Sequence, residues 1–107
     1  MATKTEFLKM IAEFEDTHIV VCVDDCGNHG NANDVVSDGK LIAIKFDGSE
    51  TKLTKLELVE KLEPFHEDTG VICMRENGGW DNVDYVNTLN DKVFIHFGGG
   101  SPFSSDR

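Results

Sequence analysis

A Thr-x-x-Glu signature stands at Thr3 and Glu6 and returns at Thr54 and Glu57, 51 residues further on. This spacing belongs to a helix start, where the Thr hydroxyl and the Glu carboxylate each accept from the other's free backbone N–H. The residues after each signature return as well. Phe7, Leu8, Ile11 and Phe14 form an apolar stripe at helical spacing, matched by Leu58, Val59, Leu62 and Phe65. Helices are expected over 4–15 and 55–65, with Pro64 stopping the second. Asp16-Thr17 and Asp68-Thr69 then lead into the β-branched runs "HIVVCVDD" and "GVICMREN". Beyond these, "DVVSDGKLIAIKF" reads as two strands around an Asp-Gly turn, and "VDYVNTLNDKVFIHF" as two strands with Asn90-Asp91 at the turn.

The expected fold is therefore α+β, a tandem αβββ-αβββ repeat in one domain over residues 1–107. The repeats run over 3–48 and 54–99, each a helix on a three-stranded antiparallel sheet, paired about a pseudo-twofold axis. Gly48-Ser49-Glu50 is the joint. Residues 100–107 lack periodicity and read as a flexible tail, with Phe103 its one large apolar side chain. A chain of 107 residues, 39% hydrophobic and 28% charged, is large enough and apolar enough to bury a core without staples. No apolar run reaches bilayer length, and the start MATKTEFLKM lacks the pattern of a signal peptide. Three cysteines, an odd number, fit a reducing cytoplasm better than a disulfide scaffold.

Charge narrows the functional classes. Twenty acidic against ten basic side chains leave −10, with an excess of six in residues 1–50 and four in the rest. Such a surface repels phosphate backbones and anionic lipid, which argues against direct nucleic-acid or membrane binding. It attracts basic protein surfaces, although solubility alone is an equally weighted account of it.

Positions where the two halves differ are the candidate site. The long loop "DDCGNHGNAN" (24–33) faces "ENGGWDN" (76–82) in the second half. Trp80 is the only tryptophan, set between Gly79 and Asp81. It reads either as a binding anchor that fills a partner's pocket or as a lid folded back on its own sheet. The partner-binding set is Asp24, Asp25, Glu76, Trp80, Asp81 and Asp84, and the protein is expected as a monomer or homodimer.

Metal and catalytic alternatives draw on the cysteines and histidines. Cys22, Cys26 and His29 have C-x3-C-x2-H spacing, with His18, His66, Cys73 and His96 as possible fourth ligands for zinc. Strand alternation is expected to set Cys22 and Cys73 on opposite faces, which weakens that reading. No cofactor is expected. Cys26 with His29 is a nucleophile–base pair lacking a third orienting group, and "HFGGGS" (96–101) has no helix after it. The chain is read as a binding protein and not an enzyme.

The run "ELVEKLEPFHEDTGVICMRENGGWDNVDYV" resembles the short helix-plus-hairpin modules of small phage and prophage proteins. Glu57, Leu58, Leu62, Pro64, Asp68, Gly78 and Gly79 carry the resemblance, while the first half has Glu13 in the place of the proline. The resemblance implies a phage-type protein, in the manner of anti-CRISPR proteins, that occupies the basic nucleic-acid-binding surface of a host complex.

Overall fold

Both Thr-x-x-Glu signatures close as capping boxes. Thr3 Oγ1 accepts from Glu6 N at 3.2 Å while Glu6 Oε1 accepts from Thr3 N at 2.9 Å. The same pair of bonds joins Thr54 and Glu57, at 3.2 and 3.0 Å. They open α1 (Lys4–Ile11) and α2 (Lys55–Leu62). The computed structural model describes residues 2–46, 50–76 and 78–98; the expected joint at Gly48-Ser49 and the tail 100–107 with Phe103 lie outside the described residues.

Each helix has eight residues and stops short of the expected end. Pro64 is not the reason, since α1 stops at the matching place without a proline. The two ends share a lysine from the other helix. Lys4 Nζ donates to Glu63 O (3.2 Å) and Phe65 O (2.9 Å), and Lys55 Nζ donates to Ala12 O (3.3 Å) and Phe14 O (3.0 Å). A cation placed on the orphan carbonyls past a helix is favoured by the macrodipole and satisfies acceptors that the helix leaves unpaired. Both lysines are buried, 7% and 9% exposed, an uncommon place for a charge; the carbonyls receive both, and Asp16 Oδ1 lies 3.4 Å from Lys55 Nζ as well.

Six strands complete the chain: β1 (Ile19–Val23), β2 (His29–Ser37) and β3 (Leu41–Phe46) after α1, then β4 (Gly70–Met74), β5 (Trp80–Leu89) and β6 (Lys92–Phe97) after α2. Neighbours within each trio are antiparallel, as expected. The trios do not form two separate sheets, however. β3 runs parallel to β4, from Leu41↔Gly70 to Lys45↔Met74, and β6 runs parallel to β1, from Ile19↔Lys92 to Val23↔His96. These two junctions close a single six-stranded barrel. An isolated three-stranded sheet exposes two unpaired edges, and joining the trios edge to edge removes all four.

The expected Asp38-Gly39 turn is present, with Gly39 at φ +95° and Asp38 Oδ1 accepting from Lys40 N and Leu41 N. Asn90 (φ 52°) and Asp91 (φ 67°) make the second turn, two successive left-handed residues that suit a two-residue hairpin. The loops are shorter than the sequence suggests. β2 starts at His29 and β5 at Trp80, so only tight turns separate them from β1 and β4.

Val20, Cys22, Ile42, Ile44, Val71, Cys73, Val93 and Ile95 are fully buried in one core, which Phe7, Ile11, Leu58 and Leu62 join from the helices. Cys22 and Cys73 thus lie on the same, inner side, against the expectation of opposite faces. The matching offset is 51 residues, the offset of the capping boxes, and it pairs Cys73 with Cys22 and not with Val21. Among the described residues no helix is long and apolar enough to cross a membrane.

The buried lysines yield a stability prediction. Lys4→Met and Lys55→Met keep the apolar stem but leave carbonyls unsatisfied. Each should cost about 1–3 kcal/mol in urea unfolding, whereas Lys9→Met, at an exposed position, should change stability little.

Candidate functional site

Arg75 comes directly after β4, and Asp24 directly after β1, so the two side chains meet at one end of the barrel. Arg75 Nε donates to Asp24 Oδ2 at 3.0 Å, and Nη2 donates to Asp81 Oδ2 at 3.0 Å and lies 3.8 Å from Asp25 Oδ1. The guanidinium sits over the Phe97 ring, 4.9 Å from its centroid, and Phe97 meets Phe46 edge to face at 5.6 Å. One cation is therefore shared by three carboxylates on an aromatic floor.

The carboxylates are not equivalent. The Asp24 side chain is 1% exposed and accepts four bonds: from Cys26 N, Asn28 N, Asn28 Nδ2 and Arg75 Nε. Burial works to raise its pKa, but the bonds from Arg75, Asn28 and Cys26 outweigh it and hold the carboxyl below the ordinary aspartate range. Arg75 is likewise more firmly charged than usual, because Asp24 and Asp81 outweigh the opposing effect of its burial. Asp24 is thus a buried strut, and it does not reach the surface that the sequence reading gave it. Asp25 and Asp81 keep about half of their side-chain surface, 45% and 47%. For Asp81 to reach Arg75, Gly98 has to lack a side chain. A Cβ there would come 2.7 Å from Asp81 Oδ2, and its φ of +70° already favours glycine.

Asp84 sits where the β5–β6 register slips between Val83 and Tyr85. Such a bulge re-aims a side chain. It shares a cleft of about 190 Å3 with Asp24, Asp25, Tyr85 and His96. Tyr85 stacks on His96, ring centroids 4.2 Å apart and planes 8° from parallel. Burial pushes the His96 pKa down, against the pull of Asp84, so the ring is neutral near pH 7. Glu76 is exposed in the turn beside Arg75. The barrel end therefore collects five of the six residues chosen from sequence.

Trp80 is separate from that cluster. It is the first residue of β5, not a loop residue, and it is 46% exposed. Its ring borders an apolar groove of about 200 Å3 on the outer face of the β3–β4 junction, with Val36, Leu41, Ala43, Ile72 and Met74. It is a half-covering wall, between the lid and the free anchor.

The zinc constellation does not assemble. Cys22 is buried in the core, while Cys26 and His29 are exposed, and His29 turns Nδ1 toward Gly27 O at 3.3 Å. Asp24, Asp25 and Cys26 do bring ligand atoms within 4.8 Å of one another. Asp24 is already engaged by four donors, however, and Asp25 followed by Asp24 pushes the Cys26 thiol up, against the thiolate that a metal or a nucleophile requires. Burial, and then a hydrogen bond with Cys22, raises Cys73 well above the ordinary thiol range.

Arg75 is the residue that sequence reading missed. A signal was present, since it stands 51 residues from Asp24 with the opposite charge, but Lys9 with Glu60 and Lys40 with Asp91 show the same reversal, so the sequence did not single it out. No family model matches the chain, and no curated protein or solved structure matches it.

Acid should expose the strut. The folded Asp24 carboxyl titrates below its unfolded value, so its contribution is complete above about pH 4 and is lost as pH falls through the folded pKa. Melting temperatures from pH 6 to pH 2 should fall more steeply below pH 4 for the wild type than for Asp24→Asn. Parallel curves would show that Asp24 is not the group responsible.

Proposed function

We propose that this protein acts by binding a basic surface of another protein, with the acidic barrel end as the recognition face and no chemistry of its own. The observation that carries this reading is the sharing of Arg75. Three carboxylates meet one guanidinium, so the cluster retains negative charge, and exposed Glu76 together with Asp84 adds to it. A face rigidly held by a buried pair presents charge without having to order itself first, which favours fast, steered association. Asp25, Glu76, Asp81 and Asp84 are the contacts, and Asp24 holds Arg75 in place behind them. In its most concrete form the protein is a phage-type inhibitor in the bacterial cytoplasm, occupying the nucleic-acid-binding surface of a host complex. Net charge of −10 supports that form by matching the sign of the nucleic acid it would displace.

Immobilised wild-type protein and an Asp25→Lys, Glu76→Lys, Asp84→Lys variant should be compared on bacterial lysate. The wild type should retain a basic nucleic-acid-binding protein at low salt, release it as salt rises, and compete with nucleic acid for it. The triple variant should lose this capture while still unfolding cooperatively on heating. Capture that is indifferent to salt and to the variant would sink the proposal.

We infer in addition that the chain is a duplicated αβββ unit, 3–48 and 54–99, arranged about a pseudo-twofold axis. Support comes from contacts between residues 51 apart: Asp24 with Arg75, Cys22 with Cys73, and Phe46 with Phe97. Residues near such an axis meet their own counterparts, and two identical charges there would repel. Divergence of that one position into Asp and Arg converts a repulsion into a bond. Exchanging the charges, Asp24→Arg with Arg75→Asp, should recover the larger part of the stability lost in Arg75→Asp alone. A double variant no more stable than the single one would show that the two positions are not interchangeable.

A further inference from the structure

Each half of the chain begins with a short arm that bonds to the other half. Ala2 O accepts from Val71 N at 2.8 Å, while Lys4 N donates to Thr69 O at 2.8 Å and Thr5 N to Glu67 O at 3.2 Å. The second arm repeats this 51 residues further on. Leu53 O accepts from Val20 N at 2.9 Å, while Lys55 N donates to His18 O at 2.8 Å and Leu56 N to Asp16 O at 3.1 Å. Isolated bridges join Thr3 to Gly70 and Thr54 to Ile19, and the lysine clasps cross in the same two directions. Both parallel junctions also lie between the halves. A half by itself would leave two sheet edges, its arm and the carbonyls beyond its helix without these partners.

We propose that the interface between the halves also takes a second copy of this chain, the first half of one copy closing a barrel with the second half of the other. This rests on the duplicated-unit reading above. None of the bonds just described requires both halves to belong to one chain; only the connection from Phe46 to the second arm does. A short linker holds its two ends at an effective concentration on the order of millimolar. The closed monomer therefore prevails in dilute solution, and exchange competes when the chain folds at comparable concentration. Asp24 and Arg75 select which halves meet. A first half with a second half sets carboxylate against guanidinium at 3.0 Å. Like with like would set Asp24 near Asp24, or Arg75 near Arg75, at a place where the Asp24 side chain is 1% exposed and water screens little of the repulsion. In the exchanged dimer, Arg75 and Asp81 of one copy meet Asp24 and Asp25 of the other, so each charged barrel end is completed by both copies.

Two full-length variants test this, Asp24→Arg and Arg75→Asp, each of which carries like charges at the pair when its own halves close. In a mixture of the two, every barrel exchanged between unlike variants again joins one acid to one base. Unfolded together in urea and refolded at about 1 mM, the mixture should give a species of twice the mass on size-exclusion chromatography. It should contain at least about tenfold more of that dimer than either variant refolded alone, ~1.4 kcal/mol of selection, and should melt at a higher temperature than either. A second measurement needs no variant: isotope-labelled and unlabelled wild-type chains refolded together should show mixed dimers by native mass spectrometry. Absence of mixed wild-type dimers would overturn the proposal. No rescue in the mixture, with stability recovered in the single-chain double variant above, would overturn selection by Asp24 and Arg75 and leave the duplicated unit standing. Failure of that double variant as well would remove both.

Discussion

Everything in this molecule hangs on the two parallel strand junctions that close the barrel. Antiparallel hairpins form locally, but a parallel neighbour requires the chain to leave the sheet and return, and the segment carrying α2 does this between β3 and β4. Closure then dictates the rest. It turns the alternating apolar residues of all six strands toward one interior and brings the ends of β1 and β4 together. It also places each helix where its first-turn lysine reaches the carbonyls beyond the other helix. Lys4 and Lys55 act as reciprocal clasps, each tying one half of the chain to the other.

The same closure creates the charged barrel end. Asp24 and Arg75 are distant in sequence and meet only because closure of the barrel brings the ends of β1 and β4, which are not neighbouring strands, together at one end. Breaking such a pair leaves a buried charge, which costs more than an exposed pair contributes, typically ~3–5 against at most ~1 kcal/mol. The buried Asp24 contact is therefore structural, while Asp25 and Asp81 meet the same guanidinium with about half of their side-chain surface exposed. Structure and proposed function thus share one guanidinium, with its inner bond fixing the barrel end and its outer contacts setting the geometry of the acidic face.

The sequence made the local elements readable. Capping boxes, apolar stripes and the Asp-Gly turn report nearest neighbours, and each appears where expected. Helix ends were misjudged because the feature common to both, a lysine from the opposite helix, is a tertiary contact. Loop lengths were overestimated because Gly30, Asn31 and Asn33 look like loop residues, and yet ladder pairing holds 29–32 as strand, with Asn33 at a bulge within it. The six candidate residues came from charge and from the single tryptophan. Five of them gather at one barrel end, and Asp24 turned out to be buried there.

By itself, then, the sequence determined which segments become helices and strands, the sign of the surface charge, and the 51-residue correspondence between the halves. Each of these depends on a residue and its near neighbours or on a simple sum over residues. Only the tertiary structure decided that the strands close on one another. From that closure came the shared interior of Cys22 and Cys73, the joining of Asp24 to Arg75, and the groove bordered by Ala43, Ile72 and Trp80. Those outcomes depend on which strand edge lies beside which, and periodicity along a chain carries no information about its neighbours across a barrel.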